Sequence, residues 1–147
     1  MTLMIQLRVF GTPAPQGSKR HVGGGRMIEA SNKVKPWRQA IVDQAIRDGV
    51  SGSQLDGPLM LRVTFYLQRP KSHSGARGIK ASAPALPNKV PDLDKLLRST
   101  CDGLTQAALI VDDALIVRIK ARKVYADEVA PGAIIYITTT IEGEEND

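Results

Sequence analysis

The sequence predicts a single α+β domain, in which a mixed β-sheet of about four to five strands packs against two main α-helices. Apolar residues alternate with other residues over 3–10 and again over 59–68, which is the period-two pattern of half-buried strands. Two later stretches, after Pro36 and after Pro91, repeat apolar residues at helical spacing instead. With 147 residues, of which 42% are apolar, the chain is long enough for one hydrophobic core and is not typical of a disordered protein.

The first half of the chain combines strands with one helix. The strand that opens the chain is followed by residues 11–20, whose prolines and glycines disfavour regular structure, and residues 26–29 then predict a short strand. A helix follows, with Ser31 or Asn32 as its candidate N-cap and Gly49 at its end. Its predicted buried face consists of Trp37, Ile41 and Ala45.

The second half contains a long loop, the second helix and two more strands. Residues 69–91 are basic and rich in proline, and loops of this length are usually functional or disordered. The strand predicted over 115–122 has one basic face, and a final strand covers 133–141. Cys101 lies on the apolar face of the helix, so we interpret it as a core residue rather than a nucleophile. That face consists of Leu93, Leu96, Leu97, Thr100, Cys101, Leu104 and Ala108.

The charge of the chain favours a polyanionic partner. The formal net charge is +5, and residues 142–147 hold four of the 15 acidic residues. Residues 57–91 contain six basic residues and no acidic residue. Nucleic acid is the natural partner of such a segment, although basic patches also bind membranes and acidic proteins. Because aromatic residues make up only 4% of the chain, we do not expect base stacking to be its main binding mode.

The domain organisation and location follow from the same features. We expect one domain over residues 1–141, followed by a short acidic tail over 142–147. No apolar run approaches the length of a membrane helix, and the first residues do not follow the signal-peptide pattern. A single cysteine excludes an internal disulfide, and these features together predict a cytoplasmic protein.

Two pairs of acidic residues are the candidates for chemistry. Asp92 and Asp94 open the second helix, where aspartate is also common as an N-cap, and Asp112 and Asp113 precede a strand, where aspartate is common in turns. The helix from Asp94 rises about 18 Å to its last turn, and the seven residues that follow span at most about 23 Å. An extended return could therefore bring Asp113 beside the first pair.

Clustered carboxylates repel one another, and a hard divalent cation removes that repulsion. An all-oxygen ligand set of this kind favours Mg²⁺, with Mn²⁺ as an alternative, and such a metal can activate water for phosphodiester hydrolysis. Arg98 lies one turn after Asp94 and could stabilise charge on the phosphate, and Lys95 could contact the phosphate. The structural alternative for Arg98 is an ion pair with Asp94 or Asp102.

Several stretches of the sequence resemble the RusA family of Holliday junction resolvases. The central ones are residues 91–98 (Pro-Asp-Leu-Asp-Lys-Leu-Leu-Arg), 101–104 (Cys-Asp-Gly-Leu) and 111–114 (Val-Asp-Asp-Ala). Residues 11–20 (Gly-Thr-Pro-Ala-Pro-Gln-Gly-Ser-Lys-Arg) and 69–73 (Arg-Pro-Lys-Ser-His) are similar to further stretches of the family. Each piece is short, but in combination they are specific and extend over most of the chain.

The resemblance implies a homodimer that binds four-way DNA junctions and nicks two strands symmetrically with magnesium. The metal-binding aspartates of the family fall on Asp92, Asp94 and Asp113, with Asp112 in support. A functionally important lysine of the family falls on Arg98, which keeps the charge but donates a proton less readily. Lys95 and Leu115 stand where some members have Asn and Gln, and neither change removes an expected ligand.

We predict an endodeoxyribonuclease that acts in DNA recombination and repair. Its alternatives are a protein that binds branched DNA without cutting it, and a nuclease for forks or flaps. Candidate DNA contacts are basic residues of the 11–20 stretch, of the basic loop and of the strand predicted over 115–122. They are Lys19, Arg20, Arg69, Lys71, Arg77, Lys80, Lys89, Arg118, Lys120 and Arg122.

Overall fold

A four-stranded mixed sheet forms the centre of the molecule. The computed structural model describes residues 2–17, 19–21, 27–29 and 32–139, with the side chains of 19–21 and 27–29 left out. The strands of the main sheet are β1 (Met4–Phe10), β4 (Leu59–Leu67), β7 (Ile116–Tyr125) and β8 (Gly132–Thr138). Their order is β1-β8-β4-β7, in which β8 runs antiparallel to both of its neighbours and β4 runs parallel to β7. The predicted α+β class with a mixed sheet is therefore confirmed.

Short strands form two small sheets beside the main one. Strand β2 (Lys19–His21) pairs with β3 (Met27–Glu29), and β5 (Ser74–Gly75) pairs with β6 (Gly78–Ile79). The predicted short strand near residue 27 is confirmed. The exclusion of regular structure up to residue 20 is wrong at its last two residues, because β3 supplies a pairing partner that the local composition does not reveal.

Two helices cover one face of the main sheet. They are α1 (Val34–Arg47) and α2 (Leu93–Gln106), and together with the inward side chains of the strands they enclose the core. Trp37, Phe65 and Leu104 are among its fully buried side chains. A Cβ at Gly103 would lie 2.8 Å from Cδ1 of Ile41, so the absence of a side chain at this position allows α1 and α2 to pack closely.

The ends of the helices agree with the sequence except at one cap. Gly49 has a φ of +72°, which fits its predicted place just after the end of α1. Asn32 is not the N-cap, because Lys33 occupies that position, and its side chain makes no capping hydrogen bond. Burial of Val34, which is 1% exposed, explains this later start, and Ser31 lies outside the described residues. Within the described ranges, no helix is long and apolar enough to cross a membrane.

The basic loop over 69–91 is held by a cluster around Arg69. The Arg69 guanidinium donates to both carboxylate oxygens of Asp127, at 2.7 and 3.0 Å, and to the carbonyl of Pro84 at 2.8 Å. It also stacks on the ring of Tyr125 at 4.0 Å. The ring of His73, which is half-buried in this cluster, packs edge-on against the same tyrosine. The loop is thus built around Arg69.

Candidate active site

The first pair of acidic residues lies at the start of α2. Asp92 is the N-cap residue in an extended conformation, but its carboxylate accepts no capping hydrogen bond and lies 3.8 Å from Nζ of Lys95. Asp94 is in the first turn of the helix, where the positive end of the helix dipole favours a carboxylate. Both side chains face solvent, so an external ligand can reach them.

Lys123 fixes the chain that leads into Asp92. Its ammonium group donates to the carbonyl oxygen of Lys89 at 2.7 Å and to that of Pro91 at 2.8 Å. Lys123 pairs with Phe65 in the β4–β7 register, so it is a charged residue on the helix-covered side of the sheet. Sequence reasoning missed this residue, although a base at an inward strand position is the signal that could have identified it.

Arg98 lies on the exposed side of α2. Neither the Asp94 side chain nor the Arg98 side chain has a hydrogen bond or ion pair with any residue in the described part of the chain, and Asp102 pairs with Arg38 at 3.7 Å instead. The structural alternative for Arg98, an ion pair with Asp94 or Asp102, is therefore absent within these residues. Two opposite charges one helical turn apart are thus available to a ligand that carries phosphate and a cation.

The second pair of acidic residues forms a turn before β7. The Asp112 carboxylate accepts a hydrogen bond from the Ala114 amide at 2.8 Å, which, together with a hydrogen bond from Asp113, lowers its pKa. The hydrogen bond with Asp112 raises the pKa of Asp113, and slight burial and the charges of Asp112 and Asp102 act in the same direction. The two carboxyl groups are close enough to share a proton, as neighbouring acids do in the absence of a counter-ion.

Asp113 lies against the second half of α2. Asp113 and Asp102 line the same shallow depression, together with Thr105. Both carboxylates also act on Cys101, where burial, followed by these two charges, raises the thiol pKa to about 11. The buried, weakly acidic thiol confirms that Cys101 is a core residue, as its position in the helical pattern predicted.

The structure does not gather the three predicted metal ligands at one point. Asp102 lies eight residues after Asp94, or about 12 Å along the helix, and Asp113 is beside Asp102. Asp113 therefore lies beside a part of α2 about two turns beyond Asp94, and the ligand set Asp92, Asp94 and Asp113 stays a prediction. Residues 109–111, which precede the second acidic pair, pair with Leu55 through hydrogen bonds of 2.9 and 3.1 Å.

The donor chemistry of this region still fits a hard divalent cation. It offers carboxylate oxygens, which are the ligands that Mg²⁺ and Mn²⁺ prefer. The spacing does not fit a three-ligand site, since the described residues contain no group of three His, Cys, Asp or Glu side chains that could hold one ion. The carboxylates instead form two groups at opposite ends of one exposed stripe of α2.

The candidate DNA contacts whose side chains are described lie in the basic loop and on β7. Exposed bases of the loop are Lys71, Arg77, Lys80 and Lys89. The bases of β7 lie on the face of the sheet away from the helices, which confirms the predicted basic face of this strand; they are Arg118, Lys120 and Arg122. The side chains of Lys19 and Arg20 lie outside the described residues. All three nitrogens of the Arg69 guanidinium are bonded to protein groups, so this residue is better explained as an anchor of the loop than as a DNA contact.

Stretches far apart in the sequence meet at the start of α2. The amide of Gln16 donates to the carbonyl of Lys95 at 3.0 Å, and the Ser99 hydroxyl donates to the carbonyl of Ala14 at 2.6 Å. The proline-rich stretch that includes residues 14–17 therefore lies along the turn that carries Asp94. These contacts bring the two distant motifs next to each other in the structure.

Comparison with known proteins adds an independent finding. The family model described as Endodeoxyribonuclease RusA matches residues 11–138, which is most of the chain. The match includes the acidic pairs on α2 and before β7, the basic loop and all of β4, β7 and β8. A search of the curated proteins finds no match. The chain belongs to the RusA family of endodeoxyribonucleases.

Proposed function

We propose that this protein is a Mg²⁺-dependent endonuclease that resolves four-way DNA junctions, as a homodimer, in recombination and repair. The observation that carries the proposal is the exposed stripe of α2, on which Asp94 and Arg98 lie one turn apart without protein partners in the described chain. A protein of net charge +5 that only bound DNA would have no use for an unpaired carboxylate facing its phosphates. This stripe therefore favours a nuclease over a non-catalytic binding protein.

The residues of the stripe have separate roles in this proposal. Asp92 and Asp94 at one end would hold one divalent cation, and Asp113 with Asp112 at the other end would hold another; a cation bound at either end would supply charge neutralisation and an activated water. Arg98 lies between the two ends and contacts the scissile phosphate or the leaving oxygen. Lys95 holds a neighbouring phosphate, and Lys123 keeps Asp92 in position through the carbonyl groups before it.

A dimer follows from the reaction. Resolution of a four-way junction requires two nicks in strands of like polarity, and one stripe of this kind per chain provides one nick. A homodimer with two-fold symmetry supplies two equivalent sites related as the two strands are. Cleavage in two symmetric positions of a synthetic junction, together with a dimeric mass in sedimentation, is the expected result.

The test compares one carboxylate of the stripe with a carboxylate elsewhere. Wild type, Asp94→Asn and Asp43→Asn are incubated with a four-way junction, a fork and a linear duplex, with and without Mg²⁺. Asp43 is exposed on α1, and among the described residues its side chain is bonded only to Gln39 of the same helix, so it serves as the control. We expect Asp94→Asn to lose cleavage but to bind the junction as tightly as wild type or more tightly, because one repulsive charge is removed.

The outcomes separate the proposals. Junction cleavage at the wild-type rate by Asp94→Asn would reduce Asp94 to a residue that stabilises the start of α2. Binding without cleavage by the wild type, in Mg²⁺ and in Mn²⁺, would favour the non-catalytic alternative. To test whether Asp113 shares the ion with Asp94, Mg²⁺ binding is titrated calorimetrically in both Asp→Asn variants. Loss of binding in only one of them would exclude a shared ion.

A further inference from the structure

The face of the main sheet away from the helices is open within the described residues. Both helices pack on the other face, and β1, β8, β4 and β7 present every second side chain outward. We call these outward side chains the open face. None of the four strands contains an aspartate or glutamate. The open face carries five basic residues, which are Arg8, Arg62, Arg118, Lys120 and Arg122.

Aromatic rings also gather on the open face. Phe10, Tyr66 and Tyr136 are three of the six aromatic residues of the chain, and Phe10 is 58% exposed. The low aromatic content of the chain did not predict a stacking surface. Content alone does not show where the rings lie, and half of them lie together here. The register of the sheet produces this cluster: Phe10 and Tyr66 lie on either side of Gly132, and Tyr136 pairs with Arg62 one strand away.

Two arginines are stacked on these rings. The Arg62 guanidinium lies 4.7 Å from the centre of the Tyr136 ring, and that of Arg8 lies 4.3 Å from the centre of Phe10 and 5.4 Å from that of Tyr66. Arg8 occupies the space that the missing side chain of Gly132 leaves, and a Cβ there would collide with its guanidinium and with the carbonyl of Val9. Flat guanidinium and aromatic groups are the side chains on which unpaired nucleobases stack.

The basic residues of β7 form a row along one edge of this surface. Arg118, Lys120 and Arg122 are successive outward residues, so they are spaced by about 6.6 Å. This spacing is similar to that of phosphates along an extended nucleic-acid strand. Nε of Arg122 also donates to the Thr64 hydroxyl at 3.2 Å, which orients the guanidinium over the sheet. A depression of about 510 Å³ lies between this row and the tyrosines.

The charge of the open face decides between two occupants. In a two-fold symmetric contact between copies of this chain, the same surface of both partners would form the interface. Five bases per copy, on strands that contain no acidic residue, would then repel one another. A polyanion has no such cost and releases counter-ions when it binds. The combination of a phosphate-binding row with stacking surfaces favours a strand whose bases are unpaired over a closed duplex.

We propose that the open face binds single-stranded DNA, with bases stacked on Tyr136, Tyr66 and the arginines and with phosphates on the basic row of β7. The identity of the ligand as DNA rests on the proposed function. Because α2 packs on the opposite side of the sheet, the strand bound here is not the one that the same subunit cuts. The preferred substrate would then be branched DNA with an unpaired segment next to the branch.

Fluorescence anisotropy of a labelled 20-nucleotide oligothymidylate, measured in EDTA, tests the proposal without any contribution from metal or cleavage. We expect Tyr136→Ala to weaken binding by about 5- to 150-fold, the loss typical of removing one stacking ring, and Tyr136→Phe to bind like wild type. The slope of the logarithm of the binding constant against the logarithm of the salt concentration should become less steep by about 1.4 in the double variant Lys120→Gln/Arg122→Gln. This is about 0.7 for each phosphate that the variant no longer neutralises. Its matched control is Lys35→Gln/Arg47→Gln, which removes two exposed bases from α1 and should leave the slope unchanged.

Several results would overturn the proposal. They are failure of the wild type to bind the oligonucleotide, equal binding by Tyr136→Ala, or an equal decrease in the α1 control. A change of sedimentation mass in folded Tyr136→Ala would mean that a second copy of the chain covers this face. Cross-linking of iodouracil-containing DNA should label Tyr136 or Tyr66 in the wild type, and labelling confined to other regions would also refute the assignment. Junction cleavage without oligonucleotide binding would leave the proposed function standing, and the reverse result would leave only this inference.

Discussion

Replacement of Arg98 tests the chemistry of the α2 stripe, because the structure predicts very different effects on rate and on stability. The Arg98 side chain is exposed and has no ion pair or hydrogen bond within the described chain. Its removal should therefore change the free energy of unfolding by no more than about 0.5 kcal/mol, as is usual for surface positions. If it stabilises charge in the transition state, Arg98→Ala should instead lower the cleavage rate by about 10²–10³.

The assay is single-turnover cleavage of a four-way junction at saturating protein. A group that acts mainly in the transition state lowers the rate constant more than the affinity, so binding of the junction should change little. Arg98→Lys should retain much of the activity, because lysine supplies the charge without the planar two-point contact of arginine. Arg47→Ala at the exposed end of α1 is the control for loss of one positive charge.

Three results would contradict this role of Arg98. Equal rates for Arg98→Ala and wild type would remove Arg98 from the active site. A parallel loss of rate and melting temperature would show that Arg98 has a structural role that the absence of partners does not predict. Equal loss in Arg98→Ala and Arg47→Ala would show that the effect comes from net charge alone.

Three further predictions concern the surroundings of the site. Lys123→Met should lower single-turnover cleavage by up to about 10²-fold through misplacement of Asp92, with faster hydrogen exchange at the end of the loop; unchanged exchange there would exclude a positioning role. Asp127→Asn should speed exchange within the loop, because it removes the carboxylate that pairs with Arg69. Arg69 lowers the pKa of Asp127, so the ion pair stabilises the loop above the unfolded pKa of about 3.9, and this stabilisation is lost as the pH falls through the pKa of Asp127 in the folded protein. Acid should therefore speed loop exchange in wild type and not in the variant. Cys101, with a pKa of about 11, should react with iodoacetamide at pH 8 at least about 100-fold more slowly in the folded protein than in urea, and equal rates would contradict its burial.

The elements of the fold were accessible from the sequence because their periodicities are local. Alternation over β4 and the helical spacing after Pro91 both predicted the side chains that the structure buries, including Phe65 and Leu104. The exposed neighbours Asp94 and Arg98 follow from the same helical spacing. Local pattern thus indicated which residues of α2 face solvent, and the family motifs indicated which of these to examine.

The relation between the two acidic pairs was not accessible in this way. The chain between Asp94 and Asp113 is long enough for a close approach, but its length does not determine which path it takes. The path is selected by Leu109 and Ile110, which are buried and pair with the chain at Leu55. That contact joins segments more than fifty residues apart, and no periodicity within either segment encodes it.

The open face was also not predictable from local sequence patterns. Phe10, Tyr66 and Tyr136 lie on three strands that are separated along the chain, and each looks like an ordinary outward residue of its own strand. Only the order β1-β8-β4-β7 brings the rings together, with the basic residues of β7 along the edge. If the acidic stripe of α2 cuts DNA on one side of this sheet while the open face holds an unpaired strand on the other, substrate choice depends on sheet topology as much as on the catalytic residues. Substitutions on β4, β7 and β8 that leave the stripe intact should then change which DNA structure the protein prefers.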